Sequence, residues 1–131
     1  MQRKGTRMSY KITIRYGGDY LHVQHTGDDS YQISLELWHR IAKACKKHKC
    51  FNILGESNTN KLLSTMDAFN HIKIFQDAGI TLKHRIAWVD NNPATKQQFR
   101  FIENVLKNRA AANGGLFENI EEAKKWLLNK D

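Results

Sequence analysis

Two cysteines and a histidine stand close together in the stretch CKKHKC, Cys45 to Cys50 with His48 between them. Thiolates and imidazoles are the ligands zinc prefers, and paired thiols carry redox chemistry. A structural zinc needs four such ligands, and the C-x2-H-x-C spacing offers at most three. The surrounding pattern explains the residues differently: Cys45 falls on the apolar side of a helix, and Cys50 opens the β-favouring run CFNIL. Both thiols therefore read as inert core residues of a reduced compartment, with no metal expected. His22 and His25 have no acidic or cysteine partner at metal spacing and read as surface or edge histidines.

The acids offer little more to a catalytic reading. Asp28 and Asp29 precede the first helical stretch, and Asp90 sits at a strand end among asparagines, where a turn former is expected. No G-x-S-x-G elbow, Walker loop or G-x-G-x-x-G fingerprint occurs. The chain reads as noncatalytic and as needing no cofactor.

The elements that must position these residues follow from periodicity. MSYKITIRY alternates Tyr10, Ile12, Ile14 and Tyr16 against Lys11, Thr13 and Arg15, the period of a half-solvated strand. Gly17-Gly18 permits a tight turn, and YLHVQH returns as the second arm of a hairpin. From Tyr31 to Lys49 the period becomes helical, with Ile33, Leu35, Leu37, Trp38, Ile41, Ala42, Ala44 and Cys45 on one continuous side. Arg40, Lys43, Lys46 and Lys47 form a basic stripe opposite, read as a solvated face.

After the CFNIL strand, GESNTNK reads as a loop in which Ser57, Asn58 or Thr59 caps a helix from about Asn60 to Ala78. That helix is expected to bury Leu62, Met66, Phe69, Ile72 and Phe75, with a break near Asn70 and a stop at Gly79. HRIAWV is a strand buried on both faces, and Asn92-Pro93 opens a helix that NGG, Asn113 to Gly115, closes. LFE is a brief last strand, and Asn119 with Glu122 makes a capping box for the final helix. The order β-β-α-β-α-β-α-β-α predicts an α/β fold, a mostly parallel five-stranded sheet with an antiparallel N-terminal hairpin.

A chain of 131 residues is one domain by length, here a flexible basic arm over 1–8 and a single α/β domain over 9–131. The formal charge of +8 invites a nucleic-acid reading, but Arg3, Lys4 and Arg7 lie in the arm, ahead of a Met8 that could be the natural start. The remaining charge is spread over a domain without a nucleic-acid motif. Apolar runs such as Ile86 to Val89 are only about four residues long, far short of the roughly 20 of a membrane span. The basic start lacks the apolar centre of a signal peptide, so a cytoplasmic location is expected.

The stretch from His84 to Leu127 carries Arg85-Ile86-Ala87-Trp88-Val89, then Phe117 with Glu121-Glu122-Ala123, then Trp126-Leu127. It resembles the C-terminal half of the small bacterial STAS-like (SpoIIAA-like) proteins, grouped with the lipid-binding CRAL-TRIO fold. The order of elements agrees from about Ser9 to Leu128. In the anti-sigma factor antagonists that share this architecture, a serine at the start of the second helix is phosphorylated to control partner binding. The resemblance brings that role to Ser57, although the usual D-S-S-G-L-G pattern is absent around it.

Independently of family, an open α/β sheet binds ligands beyond the carboxyl ends of its parallel strands. Those ends are Gly55 to Thr59 and Asp90 to Pro93, which makes Ser57, Asn58, Thr59, Asp90, Asn91 and Asn92 the candidate ligand or partner residues. The leading reading is a noncatalytic regulatory or protein-interaction module with an unknown protein partner. The alternative is a binder of a small apolar or lipid-like ligand, with Trp38, Phe69, Phe75, Trp88, Phe99, Phe101 and Trp126 as cavity-lining aromatics. The third is nucleic-acid binding through the basic stripe. The edge of the hairpin could also support a homodimer.

Overall fold

A computed structural model of the chain describes residues 9–60 and 63–129; the basic arm over 1–8 and Leu62 lie outside them. Strands β1 (Tyr10–Tyr16) and β2 (Leu21–Gly27) form the antiparallel hairpin. Helix α1 (Tyr31–His48) crosses to β3 (Asn52–Thr59), helices α2 (Thr65–Phe69) and α3 (His71–Ala78) lead to β4 (Arg85–Asp90), and α4 (Lys96–Asn108) leads to β5 (Asn113–Phe117). Helix α5 (Ile120–Leu128) ends the order. The sheet runs β1-β2-β3-β4-β5, and every pair after the hairpin is parallel.

The start and stop signals act largely as the sequence indicates. Ser30 caps α1 by accepting the Ile33 N–H, and Asn119 caps α5 by accepting the Glu122 N–H. Asn92 accepts the Ala94 N–H over a short 3-10 turn, Pro93–Thr95, from which α4 continues. Asn70 separates α2 from α3, and Gly79 closes α3 in the left-handed conformation at φ 79°.

The helices divide unequally between the two faces. The larger core lies under α1, α3 and α4, where Leu37, Trp38, Ile41, Phe75, Ile102 and Leu106 meet Leu21, Val23, Ile53, Ile86 and Trp88 of the sheet. The smaller one lies under α5, where Ala123 and Leu127 meet Leu54, Ala87 and Val89. Trp88 lies flat on β3 because the opposing residue is Gly55: a Cβ there would come within 2.0 Å of the indole ring.

Three expectations are corrected. Gly55 to Thr59 is not a loop but the second half of β3, because β2 and β4 both extend alongside and pair with it through Thr59 and Ser57. Neighbouring strands have overridden the weak strand propensity of these polar residues. The helix that follows accordingly begins at Thr65, with Ser64 as its cap. Asn113 to Gly115 likewise belong to β5 rather than to a helix end, and Gly114 is required there by close approach, since its Cβ would meet the Ile86 carbonyl oxygen at 1.8 Å. Met66 and Phe69 were expected inside and stand 65% and 40% exposed, because so short a helix turns only its Ala68 side to the core.

Candidate functional site

The six candidate residues do come together at the carboxyl ends of β3 and β4, and they mostly satisfy one another. Asp90 pairs in register with Ser57, and its carboxylate accepts the Thr95 hydroxyl, 2.7 Å at Oδ2, and the Asn92 N–H, 3.1 Å at Oδ1. Asn92 Nδ2 donates to the Thr59 carbonyl at 2.6 Å, and Asn91 Nδ2 donates to Glu56 at 3.2 Å. Ser57 is buried within β3, where its Oγ accepts the Trp88 indole N–H at 3.0 Å. The helix amides expected beside Ser57 belong instead to the turn at Ser64. Only Asn58 and Asn91 of the six are exposed.

A polar groove of about 150 Å³ adjoins Asp90, formed by Lys96 and Arg100 of α4 with Phe117, Glu118 and Glu122. Its cations are taken up locally, Lys96 lying 3.7 Å and Arg100 3.9 Å from the Glu118 carboxylate.

A second constellation, anticipated from the sequence in its aromatic lining but not in its polar end, lies between the sheet and the helices. A cleft of about 80 Å³ runs between the sheet and α1, α3 and α4, walled by Trp38, Phe75, Trp88, Phe99, Ile102 and Leu116. The Trp38 ring lies 4.6 Å from Phe75 and 5.4 Å from Trp88, so these three make one aromatic wall. Glu103 and Lys107 of α4 also line it; Lys107 is half exposed, which places an opening between α4 and β5. Of the seven aromatics proposed as lining, Trp38, Phe75, Trp88 and Phe99 do line the cleft. Phe69 and Phe101 stand exposed, and Trp126 packs with Phe117 in the α5 layer.

The cleft also carries a polar end formed by His25, Asp29, Ser34, Ser57 and His71, all buried. Asp29 Oδ1 accepts the Ser30 N–H at 2.8 Å and the Ser34 hydroxyl at 2.9 Å. Burial pushes the Asp29 carboxyl above its ordinary value of 3.8, against the pull of nearby His25, the two hydrogen bonds and His71. Burial also holds the His71 imidazole below 6.5, favouring the neutral ring. His71 Nδ1 lies 3.1 Å from the Asp67 carbonyl and His25 Nε2 3.1 Å from the Asp28 carbonyl, and a carbonyl can only accept. Each ring thus spends one N–H on the backbone, and the neutral His71 ring keeps its other nitrogen as an acceptor.

Two signals in the sequence pointed here. His25 continues the inward alternation of Leu21 and Val23, contrary to the surface reading, and Ser34 interrupts the apolar side of α1. Chemically the cluster suits binding better than nucleophilic attack. The Ser34 hydroxyl donates to Asp29 and the Ser57 hydroxyl accepts from Trp88, so neither serine has an imidazole as its hydrogen-bond partner.

The remaining chemistry-bearing residues are placed simply. Cys45 is fully buried, with its thiol pushed up to about 12 by burial and then by neighbouring Cys50. Both cysteines are free, and no cluster of three or more metal-ligating side chains occurs among the described residues. Arg40, Lys43, Lys46 and Lys47 are exposed on α1, with Arg40 3.4 Å from Glu36. Among the described residues no helix is long and apolar enough to cross a membrane.

No family profile matches the chain, and no curated protein matches it. Solved structures do. An uncharacterised DUF3478-family protein with a SpoIIAA-like fold from Shewanella loihica PV-4 superposes with a TM-score of 0.54 at 16% identity, covering 96% of this chain and 99% of that one. An anti-sigma factor antagonist from Mycobacterium paratuberculosis superposes with a TM-score of 0.61 at 11% identity, covering 92% of this chain and 96% of that one. The fold is therefore SpoIIAA-like.

Proposed function

We propose that the protein is a noncatalytic regulatory module that acts by binding a protein partner. The observation that carries this reading is the near end-to-end likeness to an anti-sigma factor antagonist, a protein whose described role is to oppose another protein. The surface supports it: α2 leaves Met66 and Phe69 exposed, and α4, which packs against it, leaves Phe101 exposed. Apolar side chains grouped at a surface are the usual anchors of a partner interface. The test is quantitative affinity capture from the source cells with the unmodified chain and with a Met66→Asp, Phe69→Asp double variant. A partner retained by the first and lost by the folded second supports the reading; nothing retained above background overturns it.

A second reading is favoured by the cleft itself, whose apolar walls close on a few polar groups in the manner of a small-molecule site. At about 80 Å³ it is roughly half the size of an apolar cavity that admits benzene, about 150 Å³. A short apolar group fits that space and a long acyl chain does not. This restricts the lipid-like ligand of the sequence reading to a small amphipathic molecule.

A further inference from the structure

We infer that the cleft takes a small organic ammonium ion, its charged head at Asp29 and His71 and its short apolar body against Trp38, Phe75 and Trp88. The inference rests on the cleft reading and names the ligand class for it. It follows from counting donors and acceptors at the polar end.

His71, kept neutral by burial, donates to the Asp67 carbonyl and presents a lone pair at its other nitrogen, while His25 spends an N–H on the Asp28 carbonyl. Asp29 adds a carboxylate whose two hydrogen bonds both fall on Oδ1, so that Oδ2 takes neither. Ser34 already donates its hydroxyl hydrogen bond to that carboxylate, which leaves the Ser57 hydroxyl, itself accepting from Trp88, as the donor of the group. An end that offers the Asp29 carboxylate and the second His71 nitrogen against one hydroxyl is acceptor-rich, and a ligand must bring protons to it.

Charge decides between the ligands that can. A carboxylate or phosphate head would place a second negative charge beside Asp29 where water is largely excluded, and like charges so placed repel strongly. An ammonium would complete the acceptors and hold Asp29 ionised, offsetting the burial that works against its charge. The aromatic wall favours the same sign, because the faces of tryptophan and phenylalanine attract cations. At the rim Glu103, which accepts the Leu116 N–H at 2.9 Å, pairs with Lys107 at 3.6 Å, so the rim favours neither sign of charge.

The experiment is calorimetric titration of the full chain at neutral pH with n-butylammonium, 1-butanol and butyrate, three probes of one shape that differ in head group. The expected order is butylammonium first, roughly tenfold or more tighter than 1-butanol, with butyrate weakest. Asp29→Asn is expected to remove the preference for the ammonium while 1-butanol still binds, and Leu116→Trp, which fills the cleft, to weaken all three. Equal binding of butylammonium and 1-butanol, or a preference for butyrate, overturns the inference and leaves the cleft reading standing. Binding of none of the three overturns both. Should Asp29→Asn not fold, the ranking on the unmodified chain decides alone.

Discussion

Asp29 and Asp90 stand at corresponding places in the fold, each after a parallel strand and five residues before a hydroxyl that bonds to it: Ser34 for Asp29, Thr95 for Asp90. Both hold the N-terminus of the next helical segment. They differ in what surrounds them. Asp90 accepts at both oxygens from the turn it closes, whereas Asp29 accepts only at Oδ1 and lines the aromatic cleft. One strand-to-helix device is structural and closed; its counterpart keeps acceptor capacity for something else.

The largest effect expected from breaking this arrangement is at Trp88, which bridges the two regions by lining the cleft and bonding to Ser57. Trp88→Ala should cost about 3–5 kcal/mol in urea unfolding, as large-to-small core changes do. Asp90→Ala should cost about 2–3 kcal/mol, because the Thr95 hydroxyl and Asn92 amide lose a buried acceptor. Asp29→Asn should cost less than about 1 kcal/mol, since an amide oxygen can still accept from Ser30 and Ser34 and a buried charge is removed. Equal costs at Asp29 and Asp90 would dissolve the distinction between them.

The pH dependence separates the regions further. His71 and His84 are held below 6.5 by burial, so each contributes stability that is present above that value and lost as pH falls below it. Asp29 works with the opposite sign: its raised carboxyl contributes stability that is present below 3.8 and is lost as pH rises through its folded value. Unfolding midpoints should therefore fall as pH drops below 6.5, and His71→Gln should flatten that slope. A slope unchanged by the substitution would contradict the buried, neutral placement of His71. The smallest effect concerns the cysteines: with its thiol pushed up to about 12, Cys45 should resist iodoacetamide near neutral pH until the protein is unfolded. Mass analysis of the intact chain checks this.

Most of the fold was legible in the sequence because it is written in local periodicity. The hairpin, the long apolar side of α1, Asn92-Pro93 before α4 and the Asn119 cap each depend on residues a few positions apart. The second half of β3 was not, because Glu56 to Thr59 are strand only through their neighbours in β2 and β4. The aromatic lining of the cleft was legible in Trp38, Phe75, Trp88 and Phe99, but its polar end was not: it joins the end of β2, the start of α1, β3 and the start of α3, a grouping that only the packed helices create. The strand-end candidates were found because each group lies at the end of a recognisable strand, and they are held largely by bonds between the ends of the neighbouring strands β3 and β4, such as Asn92 to Thr59.

The central claim is that the polar-ended cleft, and not the closed strand-end cluster, receives a cationic ligand. The chain has three tryptophans, of which Trp38 and Trp88 line the cleft and Trp126 lies on the opposite face of the sheet, so their indole N–H resonances report the two faces separately. Titration with n-butylammonium followed by NMR should move the Trp88 and Trp38 signals, leave Trp126 in place, and have no effect on the Asn91 and Asn92 backbone amides. Unmoved tryptophan signals, or movement centred on Asn91 and Asn92, would contradict it.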